Sequence, residues 1–206
     1  MRKTALLLAF LLCASLLVSC GDSLASFKHK NGKYAVGKDV YLPADLIYEP
    51  TYVGEAYAFY KRGNITLYRI GDNDPSLWLT EEYVSGMTTV FHAESITLPT
   101  LADLDAEKVI VCRSEEITVA LFDITDKDVI RALTDLYEQG EAADMPLTDA
   151  DVEYELKFYS PDWPQIYMNL SCLQYGEDMY LYDNAAHRGI AVGDLLDGYF
   201  ADGAQP

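Results

Sequence analysis

Cysteine, histidine and carboxylate positions set the chemistry open to this chain. Cys112 closes Val109-Ile110-Val111-Cys112 and Cys172 closes Met168-Asn169-Leu170-Ser171-Cys172, two stretches that read as strands. Outside the cytoplasm the two thiols could join, provided neighbouring strands bring their Cα atoms within about 7 Å. The alternative is a pair of buried thiols acting as small hydrophobes. No Cys-x-x-Cys is present, which argues against thiol–disulfide exchange. The histidines, His29, His92 and His187, lie far apart and lack zinc-ligand spacing, so no metal site is expected. Gly71-Asp72-Asn73-Asp74-Pro75-Ser76 has acids at alternate positions, as a calcium loop would. Counting from Asp72, however, an EF-hand needs Gly and Glu where Leu77 and Tyr83 stand, so a turn explains the segment better. Gly-x-Ser-x-Gly, P-loop and dinucleotide glycine patterns are absent, and no cofactor is implied. With 33 acidic residues a hydrolytic carboxylate pair is arithmetically open, but spacing alone selects none.

The N-terminus is more specific. Met1-Arg2-Lys3 is a short basic segment, and Ala5 to Val18 then runs 14 residues without a charge. A membrane-spanning helix needs about 20 apolar residues, so this run suits the core of a secretory signal peptide instead. It ends Leu17-Val18-Ser19-Cys20-Gly21, which resembles the lipobox of bacterial lipoproteins. The resemblance implies that Cys20 receives a diacylglyceryl group, that residues 1–19 are removed, and that the mature chain begins at Cys20. Two acyl chains hold stably where one binds marginally, at about 0.8 kcal/mol per buried methylene. The expected location is therefore the outer face of a cell membrane, with the lipid on Cys20 as the membrane contact.

The whole chain has 206 residues, half of them hydrophobic, with a formal net charge of −18. That apolar share can build a packed core. Fifteen basic residues less Arg2 and Lys3 leave 13 against 33 acidic ones, a mature side-chain charge of −20. Such an excess argues against nucleic-acid partners and opposes adsorption to anionic lipid through net charge. Residues 20–38 are polar and lack a sustained period, so they read as a flexible tether. Some 15 extended residues would reach roughly 50 Å from the bilayer.

Folded structure is expected over 39–206, as one region or as sub-modules 39–106 and 107–206. Hairpins are expected at Ala56–Lys61 with Ile65–Ile70, at Trp78–Val84 with Thr88–Ala93, and at Lys108–Arg113 with Ile117–Phe122. Thr125 is placed to cap a helix over Asp126–Gln139. Val129, Ile130, Leu133, Leu136 and Tyr137 fall on one stripe, and Gly140 ends it. Val152, Tyr154, Leu156 and Phe158 alternate with charged residues, marking a strand with one buried face. Further strands are expected at Ile166–Leu173, Met179–Tyr182 and Ile190–Val192. The expected class is α+β, a mostly antiparallel sheet with this one main amphipathic helix packed on a face. The order of elements over about 107–200 resembles C-terminal modules of small uncharacterised lipoproteins from Gram-positive anaerobes, a resemblance that implies no activity.

Sixteen tyrosines are the chain's compositional peculiarity, and many fall in expected strands. Tyrosine packs its ring and keeps its hydroxyl wet, so it suits a half-exposed sheet as well as a binding face. Alternation along Ile166–Leu173 puts Tyr167, Asn169 and Ser171 on one face and Ile166, Met168, Leu170 and Cys172 on the other. Trp163, in the adjoining Pro-flanked turn, is expected to reach the Tyr167 surface. Trp163, Tyr167 and Asn169 are thus the ligand-binding candidates. The leading expectation is a non-catalytic, membrane-tethered module for a protein or glycan of the envelope. The alternative is an envelope hydrolase using a carboxylate pair.

Cys20→Ser is expected to move the protein out of the detergent phase of a Triton X-114 partition. A variant that stays there after its signal peptide is removed would refute the lipid anchor.

Overall fold

The computed structural model describes residues 24–82, 88–114, 117–184 and 186–200. Cys20, residues 1–19 and the turn at 85–87 lie outside the described residues. In chain order the strands are β1 (Ala25–Lys30), β2 (Lys33–Val36), β3 (Asp39–Pro43), β4 (Tyr48–Pro50), β5 (Val53–Tyr60), β6 (Ile65–Ile70), β7 (Trp78–Glu82) and β8 (Thr88–Ala93). They continue with β9 (Lys108–Ser114), β10 (Thr118–Ile124), β11 (Val152–Tyr159), β12 (Ile166–Tyr175), β13 (Asp178–Asp183) and β14 (Arg188–Ala191). Among the described residues a single longer helix, Lys127–Gln139, separates β10 from β11. No described helix is long and apolar enough to cross a membrane.

Seven strands close a barrel in the order β1-β2-β3-β8-β7-β6-β5. All its pairings are antiparallel except the seam, where β5 lies parallel to β1 through Ala25↔Ala58 and Ser26↔Phe59. Asn31 and Gly32 both have positive φ (53° and 73°), the geometry of a two-residue hairpin turn whose twist suits the flanking strands. Phe27, Tyr41, Ala58, Leu67, Leu79 and Phe91 fill the interior. The register explains this, since Ala58↔Leu67 and Leu79↔Phe91 are directly opposed and share a face.

The second sheet has seven strands, ordered β10-β9-β11-β12-β13-β14, with β4 also paired to β12. Along β12 the pairing partner changes. Ile166–Met168 pair with β4, whereas Ser171–Tyr175 pair with β13. β4 lies between β3 and β5 in sequence, so the chain leaves the barrel, adds one strand to the other sheet and returns. One core spans both units. Ile70, Trp78 and Val90 on the barrel's outer wall pack with Val109, Leu156, Phe158, Met168 and Leu170 of the sheet. Gly71, at φ +46°, sits where the turn before β12 docks on the barrel. A Cβ there would overlap the Gln165 amide, which accepts a hydrogen bond from Asp72 N at 3.2 Å.

The expected α+β class is corrected. Among the described residues the chain is mostly β, 51% strand against 14% helical, built from a closed barrel and a second sheet, with only short helices and no main amphipathic helix packed on a sheet. The polar stretch read as a tether is also corrected, because β1 and β2 lie inside it and form the barrel seam. A division at 106/107 likewise misses that the barrel starts at Ala25 and that β4 belongs to the later sheet. Phe27 is the only buried residue of β1, so the strand shows no alternation in sequence. It is defined by ladders on both sides instead.

The helix is capped by Asp126 rather than Thr125. Its Oδ1 accepts from Asp128 N at 2.9 Å and Val129 N at 3.4 Å. Ile130 and Leu133 reach the common core, while Asp135 is exposed. At the other end, Arg188 donates to the carbonyls of Tyr137 (3.0 Å) and Gly140 (3.1 Å), placing a cation at the negative end of the helix dipole. Gly140 is needed for room, since a Cβ would come within 2.3 Å of Leu136 O.

Leu133→Ala is expected to cost about 2–5 kcal/mol, the usual range for emptying a fully buried leucine site. Asp135→Ala should stay within about 0.5 kcal/mol. Urea midpoints that shift equally for the two variants would refute this placement.

Candidate functional site

Register on the second sheet gathers a polar cluster on the face opposite the core. Lys157 is flanked by Ile110 on β9 and Asn169 on β12. One row toward one end lie Lys108, Tyr159, Tyr167 and Glu49; one row toward the other lie Cys112, Glu155, Ser171 and Tyr182, on each side of Lys157 along the strand. Both the longer helix and the C-terminal residues Tyr199 and Phe200 belong to the core on the other face. The cluster therefore lies on the face turned away from that core.

At its centre the Lys157 ammonium donates to Glu49 Oε1 at 2.7 Å and pairs with Glu155 Oε2 at 3.0 Å. Asn169 Nδ2 donates to the other Glu49 oxygen at 3.1 Å. Asn169 Oδ1 is buried and accepts no hydrogen bond among the described residues. Tyr159 and Tyr167 meet edge to face at 6.3 Å, and Lys108 lies 5.9 Å over the Tyr159 ring while pairing with Asp123 at 2.9 Å.

The titration of these groups follows from burial and charge. Burial draws Lys157 down, but its bonds and charge interactions with Glu49 and Glu155 outweigh that and hold it above its ordinary value. It stays an ammonium and is no nucleophile. Burial pushes the Tyr167 hydroxyl up, against the nearby charges of Lys108 and Lys157. Burial likewise raises the Cys112 thiol, and it pushes Cys172 up to about 12. Neither sulfur is a ready thiolate.

The ligand candidates do not all come together. Tyr167 and Asn169 share the polar face with Ser171, both half-buried. Trp163 does not join them. It packs against the common core, its ring meeting Trp78 of β7 edge to face at 5.8 Å. The turn that carries it is held to the barrel, with Asn73 Nδ2 donating to Pro164 O at 3.0 Å. Trp163 is thus a wedge between barrel and sheet. The possible Cys112–Cys172 disulfide is excluded as well. Both thiols are free, β11 lies between their strands, and Glu155↔Cys112 with Tyr154↔Cys172 places them on opposite faces. Two strand spacings amount to about 10 Å, beyond disulfide reach.

Sequence reasoning missed Glu49 and Lys157. Lys157 was visible as a wet position in an alternating strand, but its carboxylate partner lies 108 residues away on a three-residue strand. Among the described residues, no group of three or more His, Cys, Asp or Glu side chains is arranged to hold a metal ion. Comparison with protein-family models, with curated proteins and with solved structures finds no match to this chain.

Lys157→Ala would leave two half-buried carboxylates facing each other. The expected cost is about 1–3 kcal/mol, set below the value for fully buried pairs because the carboxylates are partly solvated. Adding Glu49→Gln should recover part of it in a double-mutant cycle; additive losses would refute the network. The raised Lys157, Tyr167 and Cys172 groups contribute stability that is complete below their ordinary values of 10.5, 10.0 and 9.0. That stability is lost as pH rises above those values toward the folded ones. Thermal melts should hold level up to about pH 8.5 and then fall.

Proposed function

We propose that this chain is a lipoprotein tethered through Cys20 to the outer face of a cell membrane, with a folded part that binds an envelope protein or glycan without reacting with it. The leader and the lipobox motif support the tether. The binding surface in this reading is the polar face of the second sheet, centred on Tyr167 and Asn169.

The observation that carries the reading is the unsatisfied Asn169 Oδ1, buried beside the fixed Lys157–Glu49 pair and next to Tyr167. Buried acceptors nearly always find a donor, and leaving one bare costs about 1–3 kcal/mol. A ligand N–H or O–H would reach that acceptor only by parting the side chains that cover it, whereas the half-buried Tyr159 and Tyr167 rings already offer rigid area at low entropic cost. Glu49 and Glu155, two carboxylates on this face, both bind the Lys157 ammonium. A substrate would have to displace that cation, so the binding reading is preferred over hydrolysis.

Tyr167→Ala should weaken retention of an envelope partner by about tenfold or more, in line with loss of a central aromatic anchor. Trp163→Phe should leave it unchanged. The test is a quantitative pull-down from envelope extract, with folding checked by circular dichroism. Equal retention by wild type and Tyr167→Ala overturns the assignment of this face.

A further inference from the structure

The barrel seam carries a second surface, of opposite electrostatic character to the chain as a whole. β5 pairs with β1 only at Ala25↔Ala58 and Ser26↔Phe59, and past that point the two strands part. The opening is a groove of about 860 Å³ lined by Lys28, Lys30, Lys61 and Arg62 together with Leu24 and Phe59. None of its lining residues is acidic, although the chain carries a net charge of −18. The four cations are exposed and form no ion pair among the described residues. Unpaired cations clustered beside apolar side chains are the composition of a surface that meets phosphate at an apolar boundary.

Position on the chain selects the partner. Leu24 lines the groove and stands four residues after Cys20, so at most about 14 Å of extended chain separates it from the lipidated residue. Because β1 starts at Ala25, the long flexible reach suggested by composition does not exist. The groove is held next to the headgroups, within one to two screening lengths at physiological salt. We propose that it docks on the anionic phospholipid headgroups of the membrane to which the chain is tethered. The four cations take the phosphates, and Leu24 and Phe59 rest at the acyl boundary. Net charge repels the rest of the domain, so this one contact fixes its orientation. The placement rests on the Cys20 tether; the groove's chemistry does not.

The test uses residues 21–206, a chain that keeps every described residue and lacks the lipidation site. Flotation at low ionic strength compares phosphatidylcholine vesicles with and without phosphatidylglycerol. The chain should float with the anionic vesicles only. Each basic residue near an anionic surface is worth roughly a fivefold change, so K28E/K30E/K61E/R62E should reduce flotation about a hundredfold or more. K61E/R62E, confined to an exposed turn, should reduce it about 25-fold or more and serves if the fourfold variant fails to fold. No flotation on anionic vesicles, equal flotation on neutral ones, or undiminished flotation of the reversed variants overturns the proposal. Because Cys20 is absent, these outcomes are independent of lipidation, which detergent partition of the full chain reports.

Discussion

One buried ammonium ties the two halves of this molecule together. Lys157 sits on the central strand of the second sheet, and its closest partner, Glu49, comes from a strand that the barrel lends to that sheet. β4 is only three residues long, too short for its ladder alone to fix its register. Backbone bonds continue past both its ends, from Asn169 N to Ile47 O at 2.6 Å and from Thr51 N to Gln165 O at 2.9 Å. The ion pair then selects the register, because a one-residue slip would turn Glu49 away from Lys157 and put its carboxylate into the apolar core. Such a pair adds little net energy over a hydrophobic equivalent, and its established use is to specify one arrangement among several. Here the arrangement specified is how the barrel meets the sheet.

Other features follow from that junction. With β4 docked, Tyr48 lies in the common core and donates its hydroxyl to Pro99 O at 2.5 Å, anchoring the connection between the barrel and β9. The barrel wall carrying Trp78 and Val90 can then cover the inner sheet face, and Trp163 fills the angle between them. A closed barrel also leaves no free edge, which suits strands as short as four residues. Two open surfaces among the described residues are the polar sheet face and the groove where β1 and β5 part. Both arise where ladder pairing or core packing stops.

How much of this was legible in the sequence depended on local signal. The strands β9 to β13 stand within a few residues of their expected positions, helped by the alternation of apolar and polar residue types along Val152–Phe158 and Ile166–Cys172. The sidedness of Tyr167 and Asn169 followed from the same alternation. Barrel closure did not. β1 buries Phe27 alone, and the Asn31-Gly32 dipeptide was the one local sign of a hairpin inside a stretch otherwise dominated by lysine. The fold class went wrong for this reason. A periodic thirteen-residue helix is conspicuous in sequence, whereas seven short strands in a ring are defined by partners up to 52 residues away, as Tyr41 is from Ala93. Trp163 was misplaced because turn residues have no period, so their direction is set by the surface on which the turn lands. Glu49 and Lys157 are joined only by tertiary structure, and composition offers many equivalent acids.

The charge distribution bears on the proposed docking once the barrel is known to begin at Ala25. Averaged over the chain, a net charge of −18 predicts repulsion from anionic membranes. The average conceals a segregation, since Lys28 and Lys30 on β1 converge with Lys61 and Arg62 after β5 at the seam. Pairing at the seam is parallel, so both strands run in the same direction and deliver their following residues to the same end of the barrel. An antiparallel closure would have sent Lys61 and Arg62 to the opposite end and split the cluster. The single parallel pairing of the barrel is thus what concentrates positive charge, and it does so on the strand that follows directly from the proposed lipid anchor. In the proposed docking, repulsion of the acidic remainder works with that attraction, so the seam groove is the part of the folded chain that meets the headgroups.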